Sequence, residues 1–330
     1  MIPPLSALIK KGEPALILAP MEGVTDFPVR ALLSELGGFK FCVSEFIRVT
    51  QEALPEKMFY RFIPELKTGG RTASGTPVIA QILGGNPERM AETASKAVEL
   101  GALGIDINFG CPAPIVNRND GGAVILKEPK RVEKIIAAVR GVVPKSIPVS
   151  AKVRLGWESP YEIFAISEAV VLGGASWLTI HARTRAQGYA KPVHWSLIGE
   201  IRKRLPIPVV ANGDIWSIDD FRQCRDETGC EHFMLGRGAL GEPSLASRIL
   251  SELDLVNSPN PKVEEYGDSR ERWLPLFHRF VELGEPQAIN PSYTTKRIKQ
   301  WLNLASRTRP LPWAEPIKRA SNLQEIWKSF

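Results

Sequence analysis

Eight short apolar runs, seven of them followed by a helical pattern, leave this chain few folds to choose from. The runs fall at residues 15–20, 40–45, 77–83, 104–108, 148–154, 177–181, 208–212 and 232–236. Most are near-continuous rather than alternating, the pattern of parallel strands buried on both faces. Helical stretches follow at 27–36, 87–100, 129–142, 160–172, 195–204, 218–225 and 243–253. Pro87, Pro129 and Pro160 stand where a first helical turn tolerates proline. Eight such units in series predict an α/β fold of the (β/α)8 TIM-barrel kind. A doubly wound open sheet is disfavoured, because no G-x-G-x-x-G follows the first run. Residues 50–72 are less periodic and are expected to hold an insertion.

The repeat stops at Leu253. Residues 1–253 are assigned to the barrel, and 254–268 (DLVNSPNPKVEEYGD) to a linker rich in Pro, Asn and Gly. Residues 269–330 carry only helical spacing and are assigned to a small helical domain. There Ile298, Trp301, Leu302 and Ala305 form an apolar stripe, and Lys296, Lys299, Asn303 and Arg307 a polar one. From Gln287 onward eight Lys/Arg face two Glu, which is the whole formal excess of +6. A basic tail on a neutral body fits a polyanionic partner, or else a solubilising surface.

Bulk properties narrow the class. No run approaches the ~18 consecutive apolar residues of a membrane span, and residues 1–11 show neither a basic n-region nor a cleavage site. Cys42, Cys111, Cys224 and Cys230 match no zinc spacing and no disulfide framework. A cytoplasmic, monomeric enzyme without metal is expected.

A barrel carries its active site at the C-terminal ends of its strands, and every run here ends in polar or special residues. The first ends in Pro20, Met21 and Glu22, the second in Glu45 and Arg48, and the third in Gln81. The fourth ends in Asn108, Gly110 and Cys111, the fifth in Lys152 and Arg154, and the sixth in His181. Asn212, Gly213 and Asp214 close the seventh, Gly236 and Arg237 the eighth. Glycines in the last two loops let backbone N–H groups approach an oxyanion, the usual phosphate cradle of this fold. A lysine pointing into a barrel needs an anionic partner. The N1–C2=O edge of a reduced flavin supplies one for Lys152, with Gln81 and Asn108 at other edges; a structural ion pair is the alternative. His181 is either a contact of the same group or a satisfied core histidine. Cys111 sits in a Gly-Cys-Pro turn ahead of a glycine-containing loop, a position suited to a lid. Its thiol, ordinarily near 8.5, is protonated at neutral pH and suits general-acid work.

The segments APMEGVTD (19–26), QILG (81–84), DINFGCP (106–112), AKVRLGW (151–157), HARTRAQGY (181–189), ANGDI (211–215) and LGRGAL (235–240) resemble the tRNA-dihydrouridine synthase family in order across the barrel. The resemblance implies an FMN barrel with a C-terminal helical domain, NADPH (or NADH) as reductant and tRNA as partner. It implies hydride transfer from reduced FMN to C6 of uracil, with Cys111 protonating C5. Carried onto this chain, Pro20, Met21 and Glu22 lie against the flavin ring, and Gln81, Asn108, Lys152 and His181 bind it. Asn212, Gly213, Asp214, Gly236 and Arg237 hold its phosphate. Arg48, the Gln187-Gly188-Tyr189 loop and residues 296–301 (KRIKQW) are similar to the bacterial C-type enzymes that act at tRNA position 16.

Arg154, Arg183, Tyr189, Lys296, Arg297, Lys299 and Arg307 are the expected tRNA contacts, with Arg185 and Lys191 adding charge to the loop. Tyr189 is placed to stack on an extruded base and the basic helix to grip phosphates. Ala113 and Ile115 depart from the polar residues that relatives often carry in the Cys111 loop. Three rivals remain open: an FMN barrel acting on a free small molecule, a non-catalytic RNA-binding paralogue, and a flavin-free phosphate-binding lyase or isomerase.

Overall fold

The computed structural model describes residues 8–253, 264–284 and 292–330. Nine parallel strands follow the chain: β1 (Ala15–Leu18), β2 (Phe41–Val43), β3 (Ile47–Arg48), β4 (Val78–Leu83), β5 (Ile105–Phe109), β6 (Val149–Arg154), β7 (Leu178–His181), β8 (Val209–Asn212) and β9 (His232–Leu235). Each pairs with its neighbour, and β1 closes on β9 while β2 pairs with β4. The result is the expected closed (β/α)8 barrel. β3 continues the path of β2 along the upper end of β4, with Ile47 opposite Ile82. The run expected over 40–45 is therefore the first half of a broken strand whose second half lies beyond it. At the break the Ser44 hydroxyl accepts the backbone N–H of Gln81 at 3.0 Å, so a side chain replaces a ladder bond.

Alternation along the strands sorts residues into two faces. Outward residues such as Leu16, Leu18, Ile105, Ile107, Phe109, Val153, Ile180 and Leu235 pack with the helices. The lower interior is a separate apolar plug of Ile17, Phe41, Val43, Ile79, Trp177, Val210 and Met234. Above it the inward positions turn polar, and that change of character places a site at the C-terminal end.

The segment 50–72 is no loose insertion: it holds a helix (Glu56–Phe62) and a 3-10 turn (Pro64–Thr68) in the slot before β4. At seven residues the helix is too short to declare a period, yet Phe59, Ile63 and Leu66 are buried. Arg30 on the helix Phe27–Glu35 clamps this turn through Nε and Nη2 to both Glu65 oxygens at 2.8 Å, wholly buried. The Cys111 loop likewise holds a helix (Pro114–Arg118) and a 3-10 turn (Gly122–Lys127).

Of the linker expected over 254–268, residues 254–263 lie outside the described residues, as do 1–7 of the N-terminal segment. Beyond it come helices Arg270–Gly284, Tyr293–Ala305, Ala314–Arg319 and Leu323–Ser329. Trp273, Phe277, Phe280, Trp301 and Trp313 form their aromatic core. The helix Tyr293–Ala305 docks on the barrel. Trp301 Nε1 donates to Leu240 O at 2.8 Å. Arg297 donates from Nε to Asp26 Oδ2 at 2.9 Å, from Nη1 to Gly23 O at 2.8 Å, and from Nη2 to Val24 O.

Arg297 is therefore buried in the joint between the helix and the β1 loop, where it is spent on protein acceptors. Removing one partner of a buried pair leaves the other charge uncompensated, at a cost of about 3–5 kcal/mol. Arg297→Ala is expected to lower the unfolding free energy by that order in urea titration. A loss under 1 kcal/mol would show that the joint does not depend on it.

Candidate active site

The mouth of the barrel encloses a cavity of about 600 Å³. Pro20, Met21, Glu22, Asn108, Cys111, Lys152, Arg154, His181, Tyr189, Asn212, Gly213, Asp214, Gly236 and Arg237 all line it, together with Arg307 from the helical region. Residues from six strand ends and one distant helix thus converge. Gln81 does not reach the cavity. Its wholly buried amide is held between Asp106 and Asn108.

Each loop has a local reason for its shape. After β1, the Thr25 hydroxyl accepts Met21 N–H at 2.7 Å and donates to Ala19 O at 3.1 Å, folding Pro20 and Met21 over the strand end. After β5, Asn108 Oδ1 accepts the N–H groups of Gly110 and Cys111, each at 2.9 Å. Cys111 O in turn accepts Asn117 Nδ2 at 2.9 Å and Ala123 N at 3.0 Å. Phe46, Leu83 and Val116 make a small apolar nest under Cys111 and Ala113. Arg131 ties the far end of the loop to Asp120 and to Gly85 O. The loop is anchored at both ends, and Ile115 stands 60% exposed at its tip.

After β8, Gly213 has φ 121°, a backbone conformation L side chains avoid, and Asp214 follows at φ 52°. The Asp214 carboxylate is paired with Arg183 and, at 2.9 Å, with Arg237. Those guanidinium groups hold it below the usual carboxylate range against the opposing effect of burial. A side chain on Gly238 would meet Ile215 O at 2.0 Å, so the two last loops touch backbone to backbone.

The electrostatics are cationic and strained by burial. Lys152 donates to Asn212 Oδ1 at 3.1 Å, and Asn212 donates to Met234 O at 2.8 Å. Burial, with Arg154 nearby, pushes the Lys152 ammonium down to about 8. Burial and the same cations hold His181 well below its usual range, so it is neutral, and its Nδ1 has no partner among the described residues. Burial pushes the half-buried Cys111 thiol up, against a backbone hydrogen bond from Ala113 and the cations Arg154 and Arg48. The thiol therefore keeps its proton at neutral pH.

Several expected RNA contacts are turned inward. Arg154 is buried and donates to Gly110 O, Thr184 O and Gly188 O. Arg183 is wholly buried between Ala190 O and Asp214. With Arg297, these are struts rather than exposed cations; arginine spacing alone does not reveal which way a guanidinium faces. Tyr189, by contrast, is 58% exposed, with Arg237 4.3 Å and Arg154 5.4 Å from its ring centroid. Lys296 and Arg307 are exposed and Lys299 is half-buried. With Arg319 they line a second groove of about 550 Å³, which shares Val24, Leu304 and Arg307 with the first cavity.

Sequence reading missed Trp216, which stacks under Arg237 at 4.8 Å, and the buried acid Asp106. An aspartate inside an otherwise apolar strand was the available signal for the latter.

A neutral histidine with an unpartnered nitrogen, a destabilised ammonium and a glycine-walled cradle together fit a phosphorylated ring system carrying acceptor edges. Comparison with known proteins points the same way. Residues 17–303 match the model of the family described as Dihydrouridine synthase (Dus). A tRNA-dihydrouridine(16) synthase of Yersinia pestis is 46% identical over 290 residues, 87% of this chain and 88% of that protein. One of Pasteurella multocida (strain Pm70) is 44% identical over 298 residues, 89% and 90% of the two chains. Among solved structures, an old yellow enzyme homologue from Zymomonas mobilis shares the fold at TM-score 0.54 and 15% identity, over 78% of this chain and 92% of that one.

The Lys152 geometry makes a signed prediction for the flavin-free protein. An unfolded lysine titrates near 10.5, so the folded state carries the cost of the buried charge in full below about pH 8 and sheds it as pH rises to about 10.5. Lys152→Met is expected to raise the melting temperature by a few degrees at pH 7, with the gain shrinking by pH 10. Flavin retention should fall at least tenfold. An equal gain at both pH values would exclude charge burial as its origin.

Proposed function

Because the chain belongs to the dihydrouridine synthase family, we propose that this cavity reduces uridine to 5,6-dihydrouridine in the D-loop of tRNA, at position 16. The observation that carries the reading is the meeting of Cys111, Lys152 and the Gly213 and Gly236 loops in one cavity that opens into a basic groove. FMN is the flavin the site fits, with NADPH as the reductant that recycles it. Reduced FMN supplies the hydride for C6 of the uracil.

The chain's own residues do the rest. Backbone N–H groups around Gly213 and Gly236 hold the phosphate, with Arg237 and neutral His181 at its side. Lys152 meets the anionic edge of the ring, and the contact restores the proton affinity that burial took from it. Pro20, Met21 and Glu22 wall the ring from the β1 side. Cys111 holds its proton at Sγ and delivers it to C5 as charge develops there.

A uridine inside a tRNA loop must leave its stack to enter such a cavity. Tyr189 offers an exposed ring backed by two cations, a platform for an unstacked base. Lys296, Lys299, Arg307 and Arg319 line the groove beside the mouth and neutralise the RNA backbone. Arg48 acts electrostatically on the Cys111 thiol. No described helix is long and apolar enough to cross a membrane; the reading includes a cytoplasmic site of action as a monomer.

Cys111→Ala is expected to keep FMN and to keep oxidising NADPH, while dihydrouridine formed on unmodified tRNA falls at least a hundredfold by nucleoside mass spectrometry. Undiminished tRNA turnover would remove Cys111 from the reaction. Lys296→Ala with Lys299→Ala, leaving Arg297 in its joint, should weaken tRNA binding and lower the slope of log K against log salt by roughly 1.5. An unchanged slope would make that helix face a solvated surface.

A further inference from the structure

The carboxylate of Asp106 has no task in the chemistry above, yet the polar interior of the barrel is arranged around it. It lies on β5 and is 1% exposed. Its oxygens accept from Ser150 Oγ at 2.6 Å and from Gln81 Nε2 at 2.7 Å. Gln81 Oε1 accepts from Asn108 Nδ2 at 2.9 Å. Asn108 Oδ1 accepts the backbone N–H groups of Gly110 and Cys111, each at 2.9 Å.

A carboxylate only accepts, whereas an amide has one donating and one accepting end. Asp106 therefore draws the nitrogen of Gln81 toward itself and turns the Gln81 oxygen toward Asn108. That oxygen requires the Asn108 nitrogen, which leaves the Asn108 oxygen facing the Cys111 turn. Reversing either amide would set donor against donor or acceptor against acceptor in a buried site, where an unmade hydrogen bond is expensive.

We propose that Asp106 is a positioning residue: through Gln81 and Asn108 it fixes the polarity of a hydrogen-bond relay that seats the backbone of Cys111. The inference rests on the reading of Cys111 as the proton donor. The relay explains why Gln81 is consumed beneath the cavity rather than exposed in it. It also ties the seat of the thiol to a group two strand positions below Asn108.

A charge swap in the full-length, flavin-loaded enzyme tests this. In Asn108→Asp, Gln81 faces a carboxylate on each side and can donate to only one. Asp106→Asn alone keeps Gln81 matched, its amide nitrogen donating to Ser150 Oγ in place of the bond that this hydroxyl donates to Asp106. In the double variant Gln81 turns over, accepts from residue 106 and donates to residue 108, so the relay runs complete in the opposite sense. The readout is alkylation of Cys111 by iodoacetamide, followed by mass spectrometry and taken as the limiting rate at high pH, where thiolate formation no longer matters. Cys42, Cys224 and Cys230 are buried and do not compete.

Asp106→Asn should stay within twofold of wild type, and Asn108→Asp should react at least fivefold faster. The double variant should return to within twofold. Dihydrouridine turnover should be lowest in Asn108→Asp and recover at least tenfold in the double. A double variant alkylated as fast as Asn108→Asp would overturn the relay. A wild type that forms no dihydrouridine would instead remove the functional reading, and the alkylation series would still decide the relay.

Discussion

A closed barrel buries its own interior, so every polar side chain that points inward must find a partner there or cost the fold stability. This chain resolves the constraint by layers. An apolar cluster led by Phe41 and Trp177 plugs the lower end. Asp106, Ser150 and Gln81 satisfy one another in the middle. Only above them do Lys152, His181 and Asn212 face open space. Their incomplete satisfaction is informative. A histidine nitrogen without a partner and an ammonium pushed down to about 8 are local instabilities that a bound group with acceptor edges relieves. The site is built from what the core leaves unfinished.

The second organising contact is the joint between the helical region and the β1 loop. Arg297 takes the carbonyls of Gly23 and Val24 and the carboxylate of Asp26, just beyond the Pro20-Met21 turn that walls the cavity. The groove lined by Lys296 and Lys299 is carried on the same helix. The basic groove and the loop that carries Pro20 and Met21 are thus joined through one helix. Trp301 and Leu304 of that helix pack against the core, Trp301 with a hydrogen bond to Leu240 O.

The barrel was legible because a parallel strand covered on both faces needs an apolar run, and eight such runs leave little choice of fold. Strand-end residues were legible for a related reason: polar groups such as Lys152 and Asn212 interrupt those runs only where the interior opens. What the sequence did not declare is direction. Arg154, Arg183 and Arg297 carry the same charge as Arg307, and spacing made them all RNA contacts, yet three are buried on carbonyls and carboxylates while one is exposed. Partners such as Thr184 O and Asp26 lie 30 and 271 residues away. Gln81 was misplaced for a like reason, since its acceptor Asp106 sits on the neighbouring strand. The helix Glu56–Phe62 was lost because seven residues make fewer than two turns.

The inward arginines also explain how a site of this charge remains well formed. Lys152, Arg154, Arg183 and Arg237 crowd one end of the barrel, and Asp214 is the only acid among the described residues that is paired with two of them. Among the described residues Arg154 meets no carboxylate; three backbone carbonyls from two separate loops take its place. A carbonyl satisfies a guanidinium hydrogen without neutralising its charge. The field at the mouth therefore stays positive while the loops carrying Gly110, Thr184 and Gly188 are drawn together. A lysine at that position offers fewer donors and no planar fork, so it cannot bridge both loops at once. Positive charge at the cavity and order for the loops come from the same side chain, and that dual use is what favours arginine at position 154.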